Sequence, residues 1–280
     1  MDDVAGNYSP ECLRCRCVGR YEGSSSHRGD HALVKQHPLN DTARLCHLRF
    51  GDGRDSDPAW PLAESFLLRR CLQGQDIMGW MLGISDTIGP RLSIPIRDPY
   101  GDVVSISYRA LQDGVEPKFW HHSFTKTQYL YGLYEILKDQ LDLQHVFLVE
   151  SYFDVIHLCR LGHASVAMMG SCISIEQASL LSRYTDSVIY IPHRGVRDST
   201  TVARVLSTVG CVGIKATAGY LPAELDDVAE AIERWPNQTQ QWLQNLLRQD
   251  AEPEPYSTLE HALRWPANDQ SLNGTRSPAM

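Results

Sequence analysis

The second half of the chain contains four short apolar runs, and this feature constrains the fold more than any other. The runs cover residues 146–149, 165–169, 187–191 and 213–216, and helical patterns separate them. Short strands that alternate with helices form βαβ units, so the pattern predicts a parallel sheet covered by helices. Ligands of such sheets bind at the carboxyl ends of the strands. The residues that follow each run are therefore the first candidates for a functional site.

The sequence pattern of residues 59–110 predicts a smaller region that contains both helices and strands, called the mixed region below. Apolar residues recur at helical spacing from residue 59 to about residue 83. Two runs of alternating residues, 92–98 and 103–109, are joined by turn-forming residues, which predicts an antiparallel hairpin.

Net charge and composition restrict the classes of protein to which this chain can belong. The 280 residues include 26 Lys and Arg against 34 Asp and Glu, a formal net charge of −8, so nucleic-acid binding would depend on a local basic patch. No segment approaches the ~18 apolar residues of a membrane-spanning helix, and residues 1–4 lack the pattern of a signal peptide. We therefore expect a cytoplasmic protein without membrane contacts, in which the eight scattered cysteines are reduced.

Composition also predicts the domain organisation. Residues 1–58 are polar and form an N-terminal segment, and residues 59–138 hold the mixed region. Residues 139–236 contain the parallel sheet, and residues 237–280 contain a C-terminal helix and a flexible tail.

The N-terminal segment contains candidate ligands for zinc. Cys12 and Cys15 form one close pair, and the second pair could be His27 and His31 or could involve Cys46. Structural zinc sites hold the ion with such pairs. The apolar positions that a small zinc finger needs are missing, so plain surface thiols are the alternative interpretation.

Two carboxylates follow the first apolar run of the parallel region. Glu150 stands at the end of the run, and Asp154 comes four residues later in the first turn of the next helix. Paired carboxylates at the end of a strand suit Mg²⁺, which prefers oxygen ligands. The alternative is that they only interact with the exposed amides of the helix N-terminus.

Residues 147–155, Phe-Leu-Val-Glu-Ser-Tyr-Phe-Asp-Val, resemble the V-V-E-G-Y-x-D-V signature of the Toprim domain in bacterial DnaG-type primases. Other segments are similar to motifs of that family and follow the same order: residues 65–72, 94–98 with Arg109, 116–119, Lys126 with 131–135, and 169–171. Several motifs in one order are far more specific than any one of them.

The resemblance implies an α/β fold in which a Toprim-type, parallel-rich sheet flanked by helices follows a smaller mixed α+β subdomain. It implies synthesis of short RNA primers on single-stranded DNA from ribonucleoside triphosphates, with a replicative helicase as a further candidate partner. Glu150 would be the principal acid, with Asp154 and Asp226 as additional ligands of Mg²⁺ or Mn²⁺. The basic residues that would bind phosphates of the template or the nucleotide are Arg97, Arg109, Lys118 and Lys126.

The sequence departs from the family at the metal site. After the third strand the family has Asp-Gly-Asp, whereas this chain has His193-Arg194-Gly195, so both carboxylates are missing. Ser151 also replaces the glycine of the first signature. Two functions therefore stay open: a primase of a phage or mobile element with weakened catalysis, and an inactive pseudo-primase that binds nucleic acid or a partner. A Toprim-type nuclease is disfavoured because the upstream motifs are those of primases.

Overall fold

Residues 38–50, 57–86, 89–196 and 199–251 are described by the computed structural model. Its helices are α1 (Pro38–Leu48), α2 (Trp60–Arg69), α3 (Gly74–Gly79), α4 (Leu133–Lys138), α5 (Tyr152–Arg160), α6 (Ile175–Leu181), α7 (Ser199–Cys211), α8 (Val228–Arg234) and α9 (Pro236–Ala251). Its strands are β1 (Gly83–Ser85), β2 (Arg91–Arg97), β3 (Val103–Ala110), β4 (Phe119–His121), β5 (Val146–Val149), β6 (Ser165–Ala167), β7 (Ser187–Tyr190) and β8 (Lys215–Ala218). The candidate zinc ligands Cys12, Cys15, His27 and His31 lie outside the described residues, so that prediction is not tested.

The first sheet is antiparallel and has the strand order β1-β2-β3-β4. The predicted hairpin is β2 and β3, and Asp98 closes its turn. The Asp98 side chain accepts hydrogen bonds from the amides of Tyr100 at 2.9 Å and Asp102 at 3.0 Å. Gly101 has a φ of 100°, a conformation that glycine adopts without a steric cost. The last strand, β4, is an edge of this sheet.

The second sheet is parallel and has the order β6-β5-β7-β8. It contains the four predicted strands, although β8 begins at Lys215, two residues later than the apolar run. All residues of β5, β6 and β7 are buried, as expected for strands covered on both faces. The predicted α/β fold class is thus confirmed, with the small antiparallel sheet preceding the parallel one.

Helix α1 packs on the first sheet, although its sequence falls in the segment that composition predicts to be an appendage. Ala43 is fully buried, and the Asn40 side chain accepts a hydrogen bond from the amide of Val103 at 2.8 Å. Asn40 also donates to Asp102 at 3.1 Å. A narrow face of small residues on α1 is enough to cover the sheet. Composition alone therefore did not predict this helix.

Helix α9 packs back on the molecule. Trp242, Leu243 and Leu246 are at most 2% exposed and belong to the main hydrophobic core. The Leu246 side chain approaches the backbone of Gly219 so closely that a Cβ there would lie 2.7 Å from Leu246 Cδ1. No helix among the described residues is long and apolar enough to cross a membrane.

Aromatic contacts join the two sheets into one core. Tyr131 stacks on Trp80 with ring centroids 5.2 Å apart and meets the edge of Tyr152 at 4.8 Å. Phe66 of α2 contacts Phe153 of α5 at 5.7 Å. All five rings belong to one hydrophobic core that also includes residues of both sheets, such as Ile94 of β2 and Val149 of β5.

Candidate acidic site and nucleic-acid interface

Glu150 lies at the carboxyl end of β5, where the sequence predicts it. Ser151 then caps α5 by accepting a hydrogen bond from the Phe153 amide at 3.2 Å. Glu150 Oε1 accepts hydrogen bonds from the Tyr190 hydroxyl and from the His193 amide, both at 3.1 Å. Burial raises the pKa of Glu150, against the opposing effects of His193 and Tyr190.

Asp154 lies in the first turn of α5 and is fully buried. Its Oδ2 lies 2.7 Å from Nε2 of His193, and its Oδ1 accepts a hydrogen bond from the Ala229 amide at 2.9 Å. Burial alone would disfavour the protonated form of His193, but the hydrogen bond and charge of Asp154, with Glu150 and Asp227, raise the pKa of His193 to about 9. The two side chains thus lie at the distance of an ion pair.

Asp227 completes the cluster. One potential ligand atom from each of Asp154, His193 and Asp227 lies within 4.8 Å of the others. Asp227 caps α8 by accepting a hydrogen bond from the Glu230 amide at 2.8 Å. Burial and the charge of Asp154 raise the pKa of Asp227 to about 6.

Asp226, the predicted third ligand, lies outside the cluster of Asp154, His193 and Asp227. Asp226 is exposed and forms an ion pair with Arg194, with Nη2 and Oδ1 2.5 Å apart. Its carbonyl oxygen also accepts a hydrogen bond from the Arg194 amide at 2.8 Å. The signal for Asp227 was the spacing Asp227-Val-Ala-Glu230 before an apolar stretch, which is typical of a helix N-terminus.

The donors in this cluster do not fit a magnesium ion that keeps water in its shell. Mg²⁺ requires oxygen ligands in a near-octahedral arrangement. Here an imidazole nitrogen lies between the carboxylates, and both oxygens of Asp154 already accept hydrogen bonds from the protein.

The two arginines that were predicted to bind phosphate make contacts within the protein. Arg97 forms a buried ion pair with Glu135, with 2.6 Å between Nη1 and Oε1. Arg109 is 5% exposed, and its guanidinium carbon lies 5.6 Å from the ring centre of Phe66 and 5.3 Å from that of Phe119. Their contact with phosphate stays a prediction.

Lys118 and Lys126 are exposed, and aromatic rings lie between them. The Phe119 ring is parallel to that of His121, with an angle of 2° and a centroid distance of 6.3 Å. Phe124 continues the row, 6.5 Å from His121 and 6.2 Å from Tyr129. We call this surface the cleft strip; it consists of Lys118, Phe119, His121, Phe124, Lys126 and Tyr129.

The cleft strip leads to the acidic cluster. Phe119 contacts Tyr152, the first residue of α5, with ring centroids 5.7 Å apart. Nζ of Lys126 lies 3.7 Å from the position that a Cβ would take on Gly170, in the loop after β6. The sequence analysis found the lysines but not the aromatic row, although the rings are visible in residues 119–129.

Comparisons with known proteins agree with this architecture. No family model matches the chain. The DNA primase of Aquifex aeolicus is 28% identical over 171 residues, which is 59% of this chain and 34% of that primase. This chain therefore spans about a third of the length of that relative.

Two solved structures have the same fold. A DNA primase domain from Pseudomonas aeruginosa has a TM-score of 0.59 and 23% identity, covering 79% of this chain and 85% of that one. A DnaG primase catalytic domain bound to single-stranded DNA has a TM-score of 0.57 and 22% identity, covering 75% of this chain and 86% of that one. The sequence and structural relatives of this chain are DnaG-type DNA primase catalytic cores, and the chain has the fold of that core.

Proposed function

We propose that this chain is a primase-type core that binds single-stranded DNA along the cleft strip and does not synthesise primers efficiently. The observation that carries the proposal is the exposed pair Lys118 and Lys126, with a row of aromatic rings between them. A related primase domain of the same fold has been solved with single-stranded DNA bound.

The lysines supply the electrostatic part of this binding. The chain has a net charge of −8, so attraction to DNA must come from a local surface. Lys118 and Lys126 meet this need because their side chains are exposed, whereas Arg97 and Arg109 are occupied inside the protein.

The aromatic rings supply a surface on which unpaired bases can stack. Each stacked base contributes roughly 1–3 kcal/mol to binding and does so with little dependence on sequence. His121 is exposed, and Phe119, Phe124 and Tyr129 are partly exposed. β4 is an edge strand and carries Phe119 and His121, so these two rings lie at the edge of the sheet.

Primer synthesis is the second candidate function, and the positions of Glu150 and Asp154 favour it. Against it stands the His193–Asp154 pair, which occupies the carboxylate that a metal ion would need. Ribonucleoside triphosphates, a replicative helicase and an origin in a phage or mobile element stay predictions.

Binding is tested by fluorescence anisotropy with a labelled oligo(dT), at several salt concentrations and in EDTA. The Lys118→Ala/Lys126→Ala double variant should bind more weakly, and its salt slope should be smaller by about 1.4, because a single-strand phosphate contact contributes about 0.7. Lys138→Ala is the matched control, since Lys138 is an exposed lysine outside the strip. Equal affinity and slope in wild type and the double variant would reject the cleft strip as the binding surface.

Stacking is tested separately with His121→Ala and Phe124→Ala. Each variant should lose about 1–3 kcal/mol of binding free energy without a change in salt slope. A loss of affinity that disappears at high salt would instead mean that only charge holds the DNA.

Catalysis is tested by incorporation of ribonucleotides on single-stranded DNA, with Mg²⁺ and then with Mn²⁺. The wild-type protein is first shown to be folded by its elution in size-exclusion chromatography. We then expect it to make no short RNA products. Products that vanish in Glu150→Gln would contradict the proposed loss of synthesis and establish the second candidate.

A further inference from the structure

The backbone holds His193 over the acidic cluster. Its amide donates to Glu150 Oε1 at 3.1 Å, and the next amide, that of Arg194, donates to the carbonyl of Asp226 at 2.8 Å. These contacts tie the segment after β7 both to the end of β5 and to the segment before α8. The imidazole of His193 therefore reaches Asp154 from a fixed position.

The charges around His193 come from several elements. Glu150 follows β5, Asp154 lies on α5 and Asp227 caps α8, and one potential ligand atom from each of Asp154, Asp227 and His193 lies within 4.8 Å of the others. Arg194 is directed to Asp226, so its charge is balanced outside the cluster. Within the described part of the chain, His193 is in direct contact with Asp154, and the charge of Arg70 also acts on Asp227.

The hydrogen bonds leave little room for a metal ion. Asp154 uses Oδ1 for the Ala229 amide and Oδ2 for His193, and Glu150 Oε1 accepts from the Tyr190 hydroxyl and the His193 amide. An incoming cation bound to Oδ2 of Asp154 would have to break the 2.7 Å contact to His193 and displace its side chain.

We propose that the His193 side chain takes the place of the divalent cation in this site, so that the wild-type chain does not bind Mg²⁺ or Mn²⁺ between Glu150 and Asp154. The site is a hydrogen-bonded cluster in which His193 occupies the carboxylate of Asp154. The inference rests on the proposed function in one respect, since it explains why primer synthesis is lost. It does not depend on the proposed binding of DNA.

The experiment measures Mn²⁺ binding by electron paramagnetic resonance, with the full chain and without DNA. The wild type should give the same binding curve as Asp154→Asn, whose signal reports ions held elsewhere on the chain. His193→Asp, which places a carboxylate at this position, should gain a site at least about tenfold tighter than any in the wild type, because it removes the side chain bonded to Asp154 and adds an oxygen ligand.

The double variant His193→Asp/Asp154→Asn should lose the gained site again, which assigns it to this cluster. The proposal is overturned when the wild type binds an Mn²⁺ ion that Asp154→Asn abolishes, or when His193→Asp gains no site while retaining the circular dichroism spectrum of the folded protein.

A measurement on the wild type alone keeps the proposal testable if His193→Asp fails to fold. Bound Mn²⁺ broadens the amide resonances of nearby residues in nuclear magnetic resonance spectra. The amides of Glu150, Asp154 and His193 should keep their intensity in Mn²⁺, and selective broadening of these signals would overturn the proposal. Binding of oligo(dT) is measured separately, in EDTA and therefore without free divalent ions. A failure of DNA binding and a failure of this inference are thus distinguishable.

Discussion

His193 and Asp154 are 39 residues apart in the chain, and their Nε2 and Oδ2 atoms lie 2.7 Å apart in the fold. The carboxylate is fully buried, and the imidazole is 26% exposed. Removing one partner of such a pair leaves the other charge buried and uncompensated. The free-energy cost of that unpaired charge exceeds the stabilisation that the intact pair provides.

His193→Gln should therefore lower the free energy of unfolding by about 1–3 kcal/mol at pH 7, because Asp154 loses its charged partner. Urea denaturation measures the change. Arg194→Gln is the control, since the exposed pair of Arg194 and Asp226 should contribute at most about 1 kcal/mol. A His193→Gln variant as stable as wild type would mean that the pair makes no net contribution.

The difference in stability between wild type and His193→Gln should depend on pH. The pKa of His193 is raised in the folded state, to about 9 from an ordinary 6.5, so the protonated form favours folding. The advantage of the wild type should be full below about pH 6.5 and should fall as the pH rises through 9. Unfolding curves between pH 6 and 10 measure it, and an advantage that grows with pH would refute the assignment.

Glu233 on α8 should destabilise the fold when it is ionised. Burial raises the pKa of Glu233 to about 7, although Arg70 opposes the shift. Its folded-state pKa lies above the ordinary 4.5, so stability should fall as the pH rises from 4.5 to 7. Glu233→Gln should thus be more stable than wild type by about 1–2 kcal/mol at pH 8 and show no gain at pH 4.5.

Glu230→Gln is the matched control on the same helix. The pKa of Glu230 is lowered, against the effect of burial, by the Asp226 amide and by Arg234. This substitution should lower stability at pH 8, or leave it unchanged, because it removes a favourable interaction. A gain of the same size in both variants would point to net charge and not to burial of Glu233.

Trp242→Ala should lower the free energy of unfolding by about 3–5 kcal/mol, because Trp242 is 1% exposed and fills the core beneath α9. Gln241→Ala, on the exposed face of the same helix, should be nearly neutral. Thermal unfolding measures both. A small effect of Trp242→Ala would favour the alternative that α9 docks on a partner and is not part of the core.

The local sequence was sufficient to predict most of the secondary structure. Four apolar runs predicted the strands of the parallel sheet, because fully buried strands need side chains that are apolar on both faces. The spacing of Glu150 and Asp154 placed both acids at the end of β5, since a strand end and the first turn of the next helix are set by neighbours in the chain.

The resemblance to the primase motif indicated that His193 stands where that family has a carboxylate, but only the tertiary structure decided what its side chain contacts. Contacts between residues far apart in the chain paired His193 with Asp154, brought Asp227 and not Asp226 to the cluster, and buried Arg97 against Glu135. The reason is physical: residue type and spacing determine local backbone preference, whereas burial and charge compensation depend on which distant side chains the fold brings within a few ångströms.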